Sequence, residues 1–298
     1  MSRTWSTSAQ RPYGLVRVCA AWGVSRATVH RHRQAANNPR APRRRPGPEG
    51  AMSDADLAVR IRTLLKDSPF HGEGYRKVWA RLRYESVRTS PKRVLRIMRE
   101  QRLLAHQRTG SPRGPRAHDG RITTDRVDEM WGTDMTAVAT GEGQANVFIA
   151  VDHCSAECVG IHASASATRF EALEPIRQGV RACFGAFAKD IATGLKIRHD
   201  HGSQYMSKDF QSEIKFLGAA SSPAFVRAPE GNGCAERFIR TLKENLLWVR
   251  SFETIEDLRL ALLEFQSTYN EQWIIERHGH RPPAEIRREQ TVNIRKAA

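Results

Sequence analysis

Three things are scarce in this sequence: cysteine, long apolar runs, and acidic residues in its first part. Five cysteines (Cys19, Cys154, Cys158, Cys183, Cys234), odd in number and scattered, exclude a disulfide framework and fit free thiols in a reducing cytosol. No stretch approaches the roughly 18 unbroken apolar residues of a membrane span, so no membrane partner is expected. The opening "MSRTWSTSAQRPYG" lacks the apolar core of a secretion signal, and a cytoplasmic protein is expected. Residues 1–120 hold 8 Asp/Glu against 26 Lys/Arg, whereas residues 121–298 hold 24 against 22. The whole net charge of +16 therefore lies in the first two-fifths of the chain. Folding requires no such asymmetry; a polyanion partner accounts for it, because basic side chains release counterions from phosphates.

What is present begins with a folded basic segment. In "LVRVCAAWGVSRATVHRHRQ", Leu15, Val18, Cys19 and Trp22 fall at helical spacing, Gly23 breaks the period and Ser25 suits an N-cap. The pattern predicts a helix-turn-helix within residues 1–36. Its second helix, through Val29 to Gln34, would present Arg26, Thr28, His30, Arg31 and Arg33 to DNA. Residues 37–52 form a basic Pro-rich linker: "ANNPRAPRRRPGPEGA" carries four prolines and two glycines, a density no helix or strand tolerates. A second helical block, residues 53–104, has a Ser/Asp cap, an apolar face at Leu57, Ile61, Leu64 and Leu65, and a later one at Val94, Leu95, Met98 and Leu103. Its many outward arginines make it a second DNA-binding candidate. Another basic linker spans 105–126.

From residue 127 the texture changes. "EMWGTDMTAVAT", "ANVFIAVDHCS" and "ECVGIHAS" read as three strands, the first two joined by a hairpin at "GEGQ". Helical periodicity over 168–184, a strand at "LKIRHD", a helix at "SKDFQSEIKFLG" and a short strand at "AASSPAF" follow. The loop "VRAPEGNG" then leads to one long helix, "CAERFIRTLKENLLWVR". This order gives a mixed five-stranded α/β sheet with flanking helices, the ribonuclease-H-like arrangement, over residues 127–290 with a tail at 291–298. Asp134 falls within the first strand, Asp200 closes the fourth and Glu236 lies in the first turn of the long helix, with 35 residues between it and Asp200.

The pieces "WGTDMT", "HDHGSQY", "NGCAERFIRTLKEN" and "RHGHRPPAEIR" resemble the DDE transposase and retroviral integrase superfamily, and within it the second-frame (OrfB) transposases of insertion sequences. With the helical blocks, the resemblance covers nearly the whole chain. It implies a DNA transposase in the cytoplasm of a bacterium, at the nucleoid. Such an enzyme cleaves the ends of its element and transfers the strands by a two-metal reaction. Asp134, Asp200 and Glu236 would be catalytic residues and metal ligands for two Mg²⁺, with Mn²⁺ able to substitute. Hard divalent ions prefer anionic oxygen and can neutralise charge on attacking and leaving oxygens alike. The implied partners are double-stranded DNA at element ends and target, further copies of the chain assembled on DNA, and an upstream-frame helix-turn-helix protein as partner or fusion. On the long helix, Arg240 and Lys243 share a face with Glu236. Arg240 reads as an ordinary helical ion pair to Glu236 with a weaker case for DNA, and Lys243 as a cation for the phosphate beside the scissile one.

Two alternatives use the same residues differently: a sequence-specific DNA-binding regulator without catalysis, and a ribonuclease-H-like nuclease that cuts without joining. Asp152 ends the second strand and has no counterpart among the family's acids. His153, Cys154, Cys158 and His162 crowd together, but lack the paired Cys-x₂-Cys spacing of zinc sites and read as core or turn residues. The family's usual basic residue after the second aspartate is His201 here, and the flanking His199 is also unusual.

Overall fold

The computed structural model describes residues 3–37, 52–106, 122, 124–224 and 232–297. The Pro-rich linker, most of the 105–126 linker and the loop expected before Glu236 lie outside the described residues. The chain divides into two compact units, Met1–Ala51 and Met52–Ala298.

In the first unit, two short strands, β1 (Trp5–Ser6) and β2 (Arg11–Pro12), pair antiparallel and precede α1 (Leu15–Ala21) and α2 (Arg26–Asn37). Gly23 turns the chain with φ +64°, a conformation that L side chains rarely adopt. Ser25 then caps α2, its Oγ accepting the Thr28 N–H at 3.2 Å. The second helix runs three residues past its predicted end at Gln34, and none of its described side chains is buried.

The second unit opens with α3 (Asp54–Asp67), α4 (Tyr75–Tyr84) and α5 (Pro91–Glu100). Ser53 and Ser90 cap α3 and α5, and Pro91 occupies the first turn of α5, where its missing N–H costs nothing. Leu57, Ile61, Val78, Leu82, Val94, Ile97 and Met98 close a small core between the three helices.

The sheet follows: β3 (Met130–Thr140), β4 (Gly143–Asp152), β5 (Cys158–Ser164), β6 (Lys196–His199) and β7 (Ala220–Pro223). Its spatial order is β5-β4-β3-β6-β7, with β3, β4 and β5 antiparallel and β6 and β7 parallel to β3. This is the ribonuclease-H-like topology. Between these strands run α6 (Arg169–Phe184), the short α7 (Ser203–Met206) and α8 (Lys208–Phe216). After them come α9 (Gly233–Leu242), α10 (Ile255–Gln272) and α11 (Pro283–Ala297). β4 is almost continuously apolar because helices cover both faces. Val147, Ile149 and Val151 pack with Phe238, Leu242 and Phe265 of α9 and α10, while Phe148 and Ala150 join Trp131 and residues of α6 and α8. Among the described residues, no helix is long and apolar enough to cross a membrane.

The predicted single long helix after residue 233 breaks. At Lys243 it passes into a π turn, Lys243–Leu247. Asn245 explains the break: its Nδ2 donates to the Thr241 carbonyl at 2.9 Å, while its Oδ1 accepts the backbone N–H of His71 at 2.7 Å. The α3–α4 connection is thereby tied to the sheet domain. Phe70 beside it lies in the core shared by α9 and α10 and meets Trp273 edge-on at 4.8 Å. The Tyr84 hydroxyl adds a bond to the His280 carbonyl at 2.8 Å. Asn245→Ala removes the bond to the exposed His71 and the buried one to the Thr241 carbonyl, and is expected to lower stability by about 1 kcal/mol, read from denaturant unfolding.

Candidate active site

Alternation along β3 sorts its side chains. Trp131 and Met135 join the core under α6 and α8, whereas Val138 belongs to the opposite core under α9 and α10. By the two-residue period of a strand, Gly132 and Asp134 share the face of Val138, where α9 lies. Register brings in the second acid. Met130, Trp131 and Gly132 pair in parallel with Lys196, Ile197 and Arg198. β6 is thus the parallel neighbour of β3, and the charge of Asp200, just beyond its end, reaches Asp134.

Asp200 follows β6 directly. Its Oδ1 accepts the Gly202 N–H at 2.8 Å, and its carbonyl accepts His199 Nδ1–H at 2.6 Å. His199 is fully buried, stacks on Tyr205 at 5.5 Å, and accepts the Ser221 hydroxyl at Nε2 at 2.8 Å. Burial holds its pKa below the usual imidazole range. The unusual histidine is thus a neutral tie between β7 and the Asp200 turn, while His201 is exposed.

Glu236 lies in the first turn of α9, exposed, with its pKa raised by partial burial. Electrostatics join it to the aspartates. Asp134 is pushed up to about 6, first by burial, with the carboxylates of Asp200 and Glu236 adding to the rise. The Met135 N–H on its Oδ1 at 2.8 Å and the charge of Lys243 act in the opposite direction. Lys243 is half-buried at the start of the π turn. Three carboxylates and one ammonium therefore share one field. They are not gathered into a ligand cage: among the described residues, no three His, Cys, Asp or Glu side chains stand close enough to hold a metal.

Arg240 does not pair with Glu236. Its guanidinium, half exposed, binds Glu244 at 3.0 Å. Glu236 lies in the field of Asp134, and Arg240 finds its carboxylate one turn towards the C-terminus instead. Asp152 is fully buried and held by the N–H groups of Asp128 and Ser155 and the Ser155 hydroxyl, at 2.9, 2.7 and 2.8 Å. These bonds account for it as a structural acid. The neighbouring His and Cys residues are dispersed among other contacts. Cys154 and Cys158 are buried thiols, and His162 meets Glu171 at 2.6 Å.

Of the residues expected to touch DNA, Arg26, His30, Arg31 and Arg33 lie exposed on α2 in the first unit. Thr28 is half-buried, its hydroxyl shared with Ser25 Oγ at 3.2 Å and Arg31 at 3.3 Å. If this helix meets phosphates, Arg26→Ala or Arg31→Ala flattens the salt dependence of binding to element ends by about one unit per lost contact. Unchanged slopes for both variants, measured over a salt titration, would remove α2 from the interface.

Sequence reasoning singled out neither Gly132 nor Asn232, and read His153 as a core or turn residue. The only available signal was small and amide residues placed two before Asp134 and four before Glu236.

Residues 124–229 and 220–283 match two families described as integrase core domains, and residues 53–110 match an HTH-like domain. The HTH-like match thus falls on α3–α5. The chain is similar to the InsD transposases for insertion elements IS2D and IS2H of Escherichia coli (strain K12), each 28% identical over 247 residues spanning 80% of this chain and 81% of theirs. Among solved structures it is similar to a simian T-cell lymphotropic virus intasome in complex with the PP2A regulatory subunit B56 gamma. That match has a TM-score of 0.46 and 17% identity, over 79% of this chain and 74% of that one. It is also similar to the HTLV-2 integrase catalytic core domain in complex with magnesium (trimeric form), with a TM-score of 0.41 and 17% identity, over 55% and 98%.

Proposed function

We propose that this chain, which carries integrase core and HTH-like domains and is homologous to the InsD transposases of insertion element IS2, is itself a DNA transposase that cuts the ends of its element and joins them to target DNA. The observation that carries this reading is the placement of three acids, with Asp134 within β3, Asp200 directly after the adjacent β6 and Glu236 in the first turn of α9, so that the charges of Asp200 and Glu236 both act on Asp134. A fold gains nothing in stability from crowding carboxylates at a half-buried strand position. A divalent cation relieves that repulsion, and the all-oxygen donor set suits Mg²⁺, with Mn²⁺ as a substitute.

Asp134 would serve two ions, with Asp200 completing one site and Glu236 the other. When bound, the ions supply neutralisation of charge on the attacking and leaving oxygens of a phosphodiester. The chain's own residues do the rest. With a pKa of about 6, Asp134 is mostly ionised near neutral pH and so ready to hold a cation. Lys243, the first residue of the π turn that continues α9, offers its ammonium to the phosphate beside the scissile one. The nucleophiles are water and then the freed 3′-OH of the element, so no serine, tyrosine or cysteine is used. The basic residues 1–120 supply affinity for double-stranded DNA. The active form is an assembly of copies on DNA in a bacterial cytoplasm, with an upstream-frame helix-turn-helix protein as a further partner.

The test is incubation of the full chain with Mg²⁺ and duplexes carrying the ends of its encoding element. Joined products, lost with EDTA, support transposition. Nicks without joining identify a nuclease, and binding without either identifies a regulator.

A further inference from the structure

Asparagine is favoured at helix N-caps because its side-chain oxygen accepts the N–H of the second or third helical residue. Asn232 occupies that position in α9 and makes no such bond. Its side chain, 5% exposed, instead crosses to the sheet, where Nδ2 donates to the Thr133 carbonyl at 2.9 Å. Thr133 directly precedes Asp134. Among the described residues, the Asn232 Oδ1 is buried with no partner.

His153 is oriented to the same point. Its Nδ1 donates to the Ile122 carbonyl at 3.1 Å, which leaves Nε2 as an acceptor, and that atom too is buried without a partner. Both acceptors converge over Gly132: a Cβ there would lie 2.7 Å from Asn232 Oδ1 and 2.9 Å from His153 Nε2. Any side chain at 132 would push Asn232 away from the strand. Two unpartnered buried acceptors are unfavourable for folding, so stability does not explain the arrangement.

Spacing does. Gly132 and Asp134 are two apart on one strand face, about 6.8 Å along the strand. Asn232 and Glu236 are four apart on one helix face, about 6.0 Å along the helix. Seating Asn232 over Gly132 therefore brings Glu236 level with Asp134, in keeping with the charge of Glu236 acting on Asp134.

The geometry points to Asn232 as a positioning residue: its bond to the Thr133 carbonyl, admitted by Gly132, sets Glu236 against Asp134 for cation binding. This rests on the transposase reading of the three acids. Asn232 touches neither DNA nor cation. It determines where the third carboxylate stands before either arrives.

The test uses the full chain, without DNA, and follows free Mn²⁺ by electron paramagnetic resonance during titration. Asn232→Ala and Gly132→Ala are each expected to weaken Mn²⁺ binding about 10-fold and to raise the Mn²⁺ needed for half-maximal joining by a similar factor. Binding to element ends stays within about 2-fold of the parent. Because both substitutions undo one contact, the double variant is expected to fall little further than the weaker single variant. Asn232→Ser, which retains a hydroxyl but cannot reach across, provides a milder second variant with the same expected direction. Parent-like Mn²⁺ affinity and Mn²⁺ requirement in these variants would overturn the positioning role. Glu236→Gln separates the two readings. If it loses Mn²⁺ affinity while the Asn232 variants do not, the positioning proposal fails and the site stands. If it too binds like the parent, the assignment of the acids is what fails.

Discussion

Asp134→Asn lowers cleavage and joining of element ends by at least about 10³-fold while leaving end binding within about 2-fold. The carboxylate is the shared ligand of the proposed cation pair, and an amide oxygen cannot match its charge. DNA affinity survives because the positive surplus lies in residues 1–120. Asp200→Asn and Glu236→Gln follow the same pattern, and robust cleavage by any one of the three removes that residue from the catalytic set. Stability supplies an independent sign. The Asp134 carboxyl is pushed from the ordinary aspartate value of 3.8 up to about 6 in the fold. Between those values the folded state binds more protons than the unfolded one, so stability declines as pH rises from about 4 to 6 and stays lower above. Asp134→Asn lacks this decline. In EDTA it is expected to melt above the parent near pH 7, and to differ much less near pH 4, as thermal unfolding at the two pH values can check.

Lys243→Ala lowers strand transfer by about 10²-fold, well beyond its effect on folding, which stays near 1 kcal/mol for a half-buried cation at the surface of the sheet domain. The reason is placement: the lysine lies close enough to the acids for its charge to lower the Asp134 pKa. Its removal lets that pKa rise further, so the acidic limb of the pH–rate profile moves to higher pH, a change that a merely structural residue would not cause. Lys243→Arg recovers part of the activity, since charge survives with different geometry. Joining by Lys243→Ala at the parent rate, with an unmoved profile, would make this helix face an ordinary surface.

The sheet was legible because its strands alternate or run continuously apolar between clear turns, and because Gly23, Ser25, Ser53 and Ser90 punctuate the helices with known chemistry. The three acids were legible through their places on a strand, a strand end and a helix start. What was not legible depends on contacts distant in sequence. The π turn at Lys243–Leu247 exists because Asn245 reaches His71, 174 residues away, and no periodicity reports that. α10 opens on a capping box at Thr254 and Asp257, whose reciprocal bonds show only once the helix is placed. The partner of Arg240 depended on which way Glu236 turned. Gly132 and Asn232 acquire meaning only once β3 and α9 are placed together.

The central claim is that Asp134, Asp200 and Glu236 together hold the proposed pair of divalent cations, and iron-directed backbone cleavage tests it most directly. Fe²⁺ loaded in place of Mg²⁺ on the full chain, with peroxide and ascorbate, generates radicals that cut the polypeptide nearest the ion. The account predicts three sets of cuts, around residues 132–136, 198–202 and 234–238, suppressed together by excess Mg²⁺ and by Asp134→Asn. Cuts confined to the His153–Cys158 turn, or cuts near only one of the three acids, would contradict it.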